Sequence, residues 1–438
     1  MSDGIRYGCW LALIYWVKKC KPSPISSTKE SHPNRDGFFF CDIKGLTNAI
    51  EFCIIIGFER GEEVDKLHLF SNVGRFAKKN VVMVVALIAA LITCFVVPPD
   101  KAYLDYFDVK TLTCLFCVLA VVCALKNIHF FYMLAKRIVQ IFKNARMSVL
   151  ALVYITFIGS MLIANDMALL TFLPLGLLVL TSTGKGKYMA FTFIMQNIAA
   201  NLGGMLTPFG NPQNLYLYTK FNIPNLEFMA IMAPPFVLAV LLITICCLVF
   251  VKPEPLELRD EPMKLPAVRT VVYLLLFSLA IAIVFRGIPY WIGLIVIPAV
   301  LIFMDRQALK MVDYPLLLTF VFFFVFSGNM ARIDGVRQLF SWLLGKSTLL
   351  FSVLSCQVIS NVPSAILLSQ FTENYKELLL GVNIGGVGTL ISSLASLITF
   401  REYTKQNKGK TLHYILLFSA FNFAFLIILA IFALLFAV

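Results

Sequence analysis

The sequence predicts an all-α polytopic membrane protein built from two inverted repeats, each with a re-entrant hairpin and an unwound helix. Three observations lead there. Of 438 residues, 59% are hydrophobic and only 14% charged, with a mean hydropathy of +0.85. That leaves too few polar side chains to cover a soluble surface. From Asn80 onward, apolar runs of membrane length follow one another. Their polar interruptions also come twice in the same order.

Residues 1–79 form a poorly defined N-terminal lead with room for one extra helix. Its apolar patches, Cys9 to Val17 and Ala49 to Phe58, fall short of a span, and no small-residue cleavage site follows the first. Apolar runs then cover 80–98, 109–125, 147–183, 188–218, 228–251, 268–285, 288–304, 314–330, 347–372, 378–400 and 411–438. They are rich in Leu, Phe, Ala and Val without two-residue alternation, which excludes a barrel and leaves helices as the backbone that can face lipid. The first repeat is 80–251, a cytoplasmic linker and connecting helix occupy 252–287, and the second repeat is 288–438.

The net charge of +13 comes from 37 basic and 24 acidic residues. The basic residues sit in short loops, as cytoplasmic loop bias requires, so nucleic acid is no partner. If the Arg75, Lys78, Lys79 side is cytoplasmic, and the runs 147–183 and 347–372 each enter and leave on one face, the cytoplasmic loops collect 20 basic residues and the opposite face 8. The expectation is a multi-pass protein of the cell (inner or plasma) membrane with its C-terminus outside. Seven cysteines lie in apolar runs and read as buried thiols. The pair Cys114 and Cys117 has no His or second CxxC nearby, so no transition-metal site is expected.

Run 347–372 spans 26 residues, interrupted at Ser360, Asn361, Val362 and Pro363. Two arms of about 13 residues reach about 20 Å each, just past the midplane of a roughly 30 Å core, which is a re-entrant hairpin. Run 147–183 breaks at Asn165 and Asp166; its longer arms fit either a hairpin or two complete helices.

In the first half, Asp108 precedes an apolar helix, then come an amphipathic stretch (130–142), the break at Asn165, and Asn201, Gly203, Gly204, Thr207. In the second, Asp313 precedes a helix, then an amphipathic stretch (333–344), the break at Asn361, and Asn383, Gly385, Gly386, Thr389. The shared N-x-G-G-x-x-T is short, but it falls at matching places. The first half starts outside and the second inside, the inverted arrangement in which secondary transporters place a site at the midplane. The amphipathic stretches read as interfacial helices or as levers joining a moving part to a frame.

Within the lipid a charge costs at least about 2.5–3.5 kcal/mol, so Asp166 must be paired, solvated or protonated unless its turn lies at the far surface. In the stretch 201–214, Pro208 and Pro212 remove backbone donors and free carbonyls near 201–207. Such carbonyls are hard ligands for sodium, and the following helix N-terminus suits an anion. A Gly/Pro kink for close helix packing is the plainer alternative there, and a small-residue packing helix is the alternative for 383–396.

The candidate substrate residues are Asn165, Asp166, Thr207, Asn211, Ser360, Asn361, Ser392 and Ser393. The candidate cation residues are Asn165, Asp166, Asn201, Gly203, Gly204, Thr207, Asn361, Asn383, Gly385, Gly386 and Thr389, with sodium as the coupling ion and no other cofactor.

At these residues the chain resembles the ion transporter superfamily, in particular divalent anion/sodium symporters and citrate-transporter-like permeases, with arsenite permeases as cousins. The resemblance covers about residues 80–438. It implies a homodimer in which a transport domain moves as an elevator against a scaffold. It also implies a Ser-Asn-Thr tip on each hairpin, beside an unwound helix that helps bind sodium and substrate carboxylates. Here the tips are Ala164-Asn165-Asp166 and Ser360-Asn361-Val362, and residues 207–214 resemble the family's T-x-x-G-T-P-P-N stretch. Both Thr positions and one Ser have lost their hydroxyl. Asp166 adds a negative charge, and the Asn-Asp tip is closer to arsenite permeases.

The sequence therefore predicts a cation-coupled secondary transporter of a small anion, a di- or tricarboxylate, with sodium or a proton as driver. An arsenite or sodium/proton antiporter of the same fold is the alternative. An intramembrane enzyme is remote, because there is no HExxH and the four histidines (His32, His68, His129, His413) are not central.

Overall fold

The computed structural model describes residues 80–256, 265–407 and 409–436; the lead 1–79 and the loop residues Arg259, Lys264 and Lys408 lie outside the described residues. The first half comprises α1 (Val81–Val96), α2 (Val109–Asn127), α3 (Phe130–Gln140), α4 (Ala145–Ile163), α5 (Asn165–Ser182), α6 (Met189–Gly203), α7 (Pro212–Lys220) and α8 (Asn225–Phe250). The connecting helix α9 (Ala267–Val284) comes next. The second half comprises α10 (Tyr290–Met304), the short α11 (Arg306–Met311), α12 (Tyr314–Ala331), α13 (Asp334–Lys346), α14 (Thr348–Ile359), α15 (Asn361–Leu368), α16 (Tyr375–Ile384), α17 (Leu394–Gln406) and α18 (Thr411–Phe436). Among the described residues there is no strand, and seven helices (α2, α4, α5, α8, α9, α12, α18) are long and apolar enough to cross a membrane. The protein is an all-helical, multi-pass membrane protein.

The helix starts are written in local chemistry. Asp108 caps α2 by accepting from Thr111 N (2.9 Å), and Asp313 caps α12 by accepting from Leu316 N (3.0 Å). Asn144 and Ser347 do the same for α4 and α14, through Met147 N (2.8 Å) and Leu350 N (3.2 Å). A capping oxygen satisfies a helix donor that would otherwise go unbonded. Apolar all round, α2 is enclosed by its neighbours, with 78% of its span buried, whereas α8 and α18 bury only 22% and 28% and turn the rest outward.

Loop contacts sort into two poles. At one, Leu256 N donates to Lys143 O (2.9 Å), Ala145 N to Glu254 O (2.7 Å), and Lys185 Nζ pairs with Glu254 Oε2 (2.8 Å). Both ends of the run 147–183 therefore leave from one face. Asn127 Nδ2 on Asp305 (2.9 Å) and Asn407 Nδ2 on Met189 Sδ (3.3 Å) extend the loop contacts. At the other pole, Leu349 N donates to Glu377 Oε2 (3.0 Å) and Lys220 Nζ to Gln370 Oε1 (3.2 Å), so both ends of the run 347–372 share a face too. Lys376 pairs there with Glu227 (3.1 Å). The amphipathic stretches are α3 and α13, and α13 meets α14 at a bend of 119°.

Both hairpins turn on a non-glycine residue with left-handed φ: Ala164 (φ 65, ψ 152) and Ser360 (φ 77, ψ 159). Backbone there is costly for a side-chain-bearing residue and persists only where packing holds it. The other two breaks are shorter than the sequence predicts. The first runs from Gly204 to Asn211 rather than over 201–214, and the second from Gly385 to Ser393 rather than over 383–396. At the ends of α6 and α16 the amides of Asn201 and Asn383 lie within helical turns, donating back to Asn197 O (3.1 Å) and Leu379 O (2.8 Å).

Candidate functional site

The two hairpin tips meet inside the protein. Asn165 Nδ2 donates to Asn201 Oδ1 (3.3 Å), and a methyl group built on Gly386 would lie 3.5 Å from that oxygen and 3.2 Å from Asn361 Nδ2. Asn165 and Asn361 are each buried, each the first residue of a helix, and each folds its Oδ1 back to the next backbone N–H, Asp166 N and Val362 N, both at 2.9 Å. One tip is reached from the Glu254 pole and the other from the Glu377 pole.

The breaks in α6–α7 and α16–α17 close around these tips in matching fashion. Thr207 Oγ1 donates to Met161 O (2.7 Å) and Thr389 Oγ1 to Gln357 O (3.0 Å), in each case the carbonyl three residues before the tip's turning residue. Gly203 packs on Phe157 and Ser160 of α4, and Gly385 packs on Cys356 of α14. At these two glycines the helices approach closely, the role of small residues in membrane interfaces. Asn211 Nδ2 reaches across to Asn383 Oδ1 (3.3 Å), and Asn383 Nδ2 reaches Asn214 Oδ1 (2.6 Å), stitching the halves together.

The freed carbonyls are taken up by two residues outside the predicted site. Asn214 Nδ2 donates to Gly204 O (3.1 Å) and Met205 O (3.2 Å). Gln357 Nε2 donates to Gly385 O (2.9 Å) and Val387 O (3.2 Å), and its Oε1 accepts from Thr389 N (2.9 Å). Gln357 also lies against Gly388, whose φ of 124 has no room for a side chain. An amide that both donates and accepts suits a chain break with orphaned groups of each kind. Asn214 was visible as the last residue of the N-P-Q-N stretch; Gln357 carried no signal beyond being a polar residue in an apolar arm.

Of the hydroxyls, Ser392 Oγ donates to Gly386 O (3.0 Å), Ser393 Oγ caps α17 at Ala395 N (3.2 Å), and Ser360 Oγ donates to Ser392 O (3.2 Å). All predicted residues therefore fall in one region, with Gly203 and Gly385 at its packing edge. A buried amide ladder leads away from it: Asn201 bonds Asn197, and Asn197 Nδ2 donates to Asn422 Oδ1 on α18 (3.4 Å). Nothing in the sequence pattern singled out Asn197 or Asn422.

The electrostatics of the site are mixed. The starts of α5, α7, α15 and α17 all lie here, and helix starts present positive dipole ends and N–H groups that suit an anion. Two oxygens in the site, Asp166 Oδ1 and Asn211 Oδ1, are buried without a hydrogen-bond partner. A buried unpartnered acceptor is costly, and a cation or a proton relieves it. Far from the site, at the first pole, Lys185, Lys187 and Tyr188 hold the Glu254 carboxyl down at about 2.

The model of a family described as citrate transporter matches residues 74–375, a span that includes both tips and the first break. Similar relatives include the "Uncharacterized transporter MJ0456" of Methanocaldococcus jannaschii, 35% identical over 294 residues, which are 67% of this chain and 80% of the relative. The "Inner membrane protein YbiR" of Escherichia coli is 29% identical over 280 residues, 62% of this chain and 74% of that protein.

Proposed function

The chain belongs to the citrate transporter family, and from that premise we propose that it is a cation-coupled secondary transporter of a small anion, a di- or tricarboxylate, driven by sodium or a proton. The observation that carries this proposal is the meeting of two hairpin tips from opposite poles, Asn165 and Asn361, beside two chain breaks. Inverted repeats with a site between them are the architecture of alternating access.

The backbone N–H groups at the starts of α5, α7, α15 and α17, with the amides of Asn165, Asn361 and Asn211, hold the anion. Asp166 and Asn211 supply the oxygens for the cation. An ionised Asp166 repels an anion, so the cation or proton binds first and the anion second. The hairpins with α7 and α17 move as an elevator against a frame that includes α2, α9, α10 and α12, in a homodimer whose C-terminus faces outside.

The test is uptake into proteoliposomes of citrate, succinate, sulfate and arsenite with a sodium or pH gradient imposed. Citrate or succinate uptake that tracks one of the gradients is expected. Uptake indifferent to both gradients ends the proposal. Exchange of arsenite, or of sodium against protons, favours instead an antiporter of the same fold. Asp166 is the observation behind that second reading, since its carboxylate stands where the other tip has Val362.

A further inference from the structure

A groove of about 390 Å³ lies at the Glu254 pole, at one end of α6 and between α8 and α18, away from the transport site. Its wall is a triangle of rings: Phe191 to Phe250 at 5.7 Å, Phe191 to Phe421 at 5.4 Å, and Phe250 to Phe421 at 5.2 Å between centroids. Leu417 and Phe421, one helical turn apart on α18, line its length. Lys187 and Lys252 stand at the mouth with Tyr188. Tyr188 is held by donating to Glu254 Oε1 (2.9 Å) and accepting from Lys252 N (3.3 Å).

Two features identify an occupant. The groove is apolar within and basic at its mouth, where Lys187 and Lys252 stand; among the described residues the carboxylate beside them is Glu254, paired with Lys185 and Lys187. Its side walls α8 and α18 turn most of their length outward, and Phe250 is 56% exposed, so the apolar part opens toward acyl chains rather than water. An ion alone leaves the aromatic part uncovered, and a neutral apolar molecule leaves the rim unmatched. Basic pockets between spanning helices are where anionic headgroups settle.

We propose that this groove is a specific site for one anionic phospholipid, with an acyl chain against Phe191, Phe250 and Phe421 and the phosphate between Lys187 and Lys252. The proposal goes beyond the transport function and does not depend on it. It is tested on the purified full-length protein by native mass spectrometry with phosphatidylglycerol and phosphatidylcholine of identical chains. One retained phosphatidylglycerol per protomer is expected. Retention should fall roughly tenfold or more in Lys187→Gln/Lys252→Gln and persist in Lys187→Arg/Lys252→Arg.

Because Lys187 also pairs with Glu254, Lys252→Gln alone is the second variant; it leaves that pair intact and is expected to weaken retention in the same direction. Equal retention of the two lipids, or undiminished phosphatidylglycerol in both glutamine variants, overturns the proposal. So does displacement by millimolar inorganic phosphate, which marks a free-anion site, or a groove covered by a second copy of the chain with no lipid retained.

Discussion

The first hairpin descends through α4 and returns through α5, with arms of 19 and 18 residues, while the second, α14 and α15, has arms of 12 and 8. Both turn on a residue of positive φ, and both place an asparagine first in the returning helix. They differ at the second position of that helix, Asp166 in one and Val362 in the other. They differ again in how the neighbouring break is satisfied. In the first half the amide comes from Asn214, beyond the break; in the second it comes from Gln357, on the hairpin arm. The backbone problem is the same twice, and the geometry of its solution is kept while the residue that supplies it is not. An unbonded carbonyl in a membrane interior demands a donor, but any donor within reach will do.

The largest effect is expected where the halves are least alike. Asp166→Asn removes the only carboxylate at either tip and should abolish the dependence of uptake on the driving gradient, seen as loss of gradient-stimulated accumulation in proteoliposomes. Retained gradient dependence breaks the assigned asymmetry. Next come the two amides. Gln357→Leu and Asn214→Leu each strand several buried backbone groups and should each cost about 3 kcal/mol or more, read as a lowered thermal midpoint in detergent. If one of the pair is silent, the equivalence drawn between them is wrong.

The glycine contacts sharpen the same comparison more gently. Ser160 and Cys356 occupy matching places against Gly203 and Gly385, so Ser160→Cys and Cys356→Ser change little volume and should shift stability by less than about 1.5 kcal/mol. Substitution of either glycine by valine should be far worse, and the thermal midpoint distinguishes the two.

The smallest effect lies at the periphery, where the first half has a carboxylate clamp. Glu254 is held at about 2, below its ordinary 4.5. A carboxyl whose folded value is depressed stabilises fully above its unfolded value and loses that contribution as pH falls toward the folded one. The midpoint gap between wild type and Glu254→Gln should therefore be constant from neutral pH down to about 5, then close as pH is lowered from about 4.5 toward 2. A gap that widens in acid contradicts the clamp.

Much of the fold was legible because it is dictated locally. Caps at Asp108, Asn144, Asp313 and Ser347 sit where apolar runs begin, and the breaks announce themselves as Asn, Gly and Pro inside apolar sequence. The extent of the breaks was less legible. Asn201 and Asn383 look like loop residues but lie in the last turns of their helices, each donating to the carbonyl four residues back as well as meeting a partner from another element, which only a side-chain rotamer decides. Gln357, Asn197 and Asn422 were invisible because a lone amide in an apolar helix has no pattern; its meaning is its partner.

From the amino acids alone came the membrane class, the helical backbone and the four points where helices fail. Each of these comes from a run of neighbouring residues meeting lipid or water. Only the tertiary structure brought Asn211 against Asn383, 172 positions away, and Asn197 against Asn422, 225 away. It alone left Asp166 Oδ1 without a partner and closed three phenylalanines from three helices into a groove. The physical reason is reach: a cap or a span is decided within one turn or one bilayer, whereas a buried polar atom is satisfied or stranded by whatever the rest of the chain carries to it.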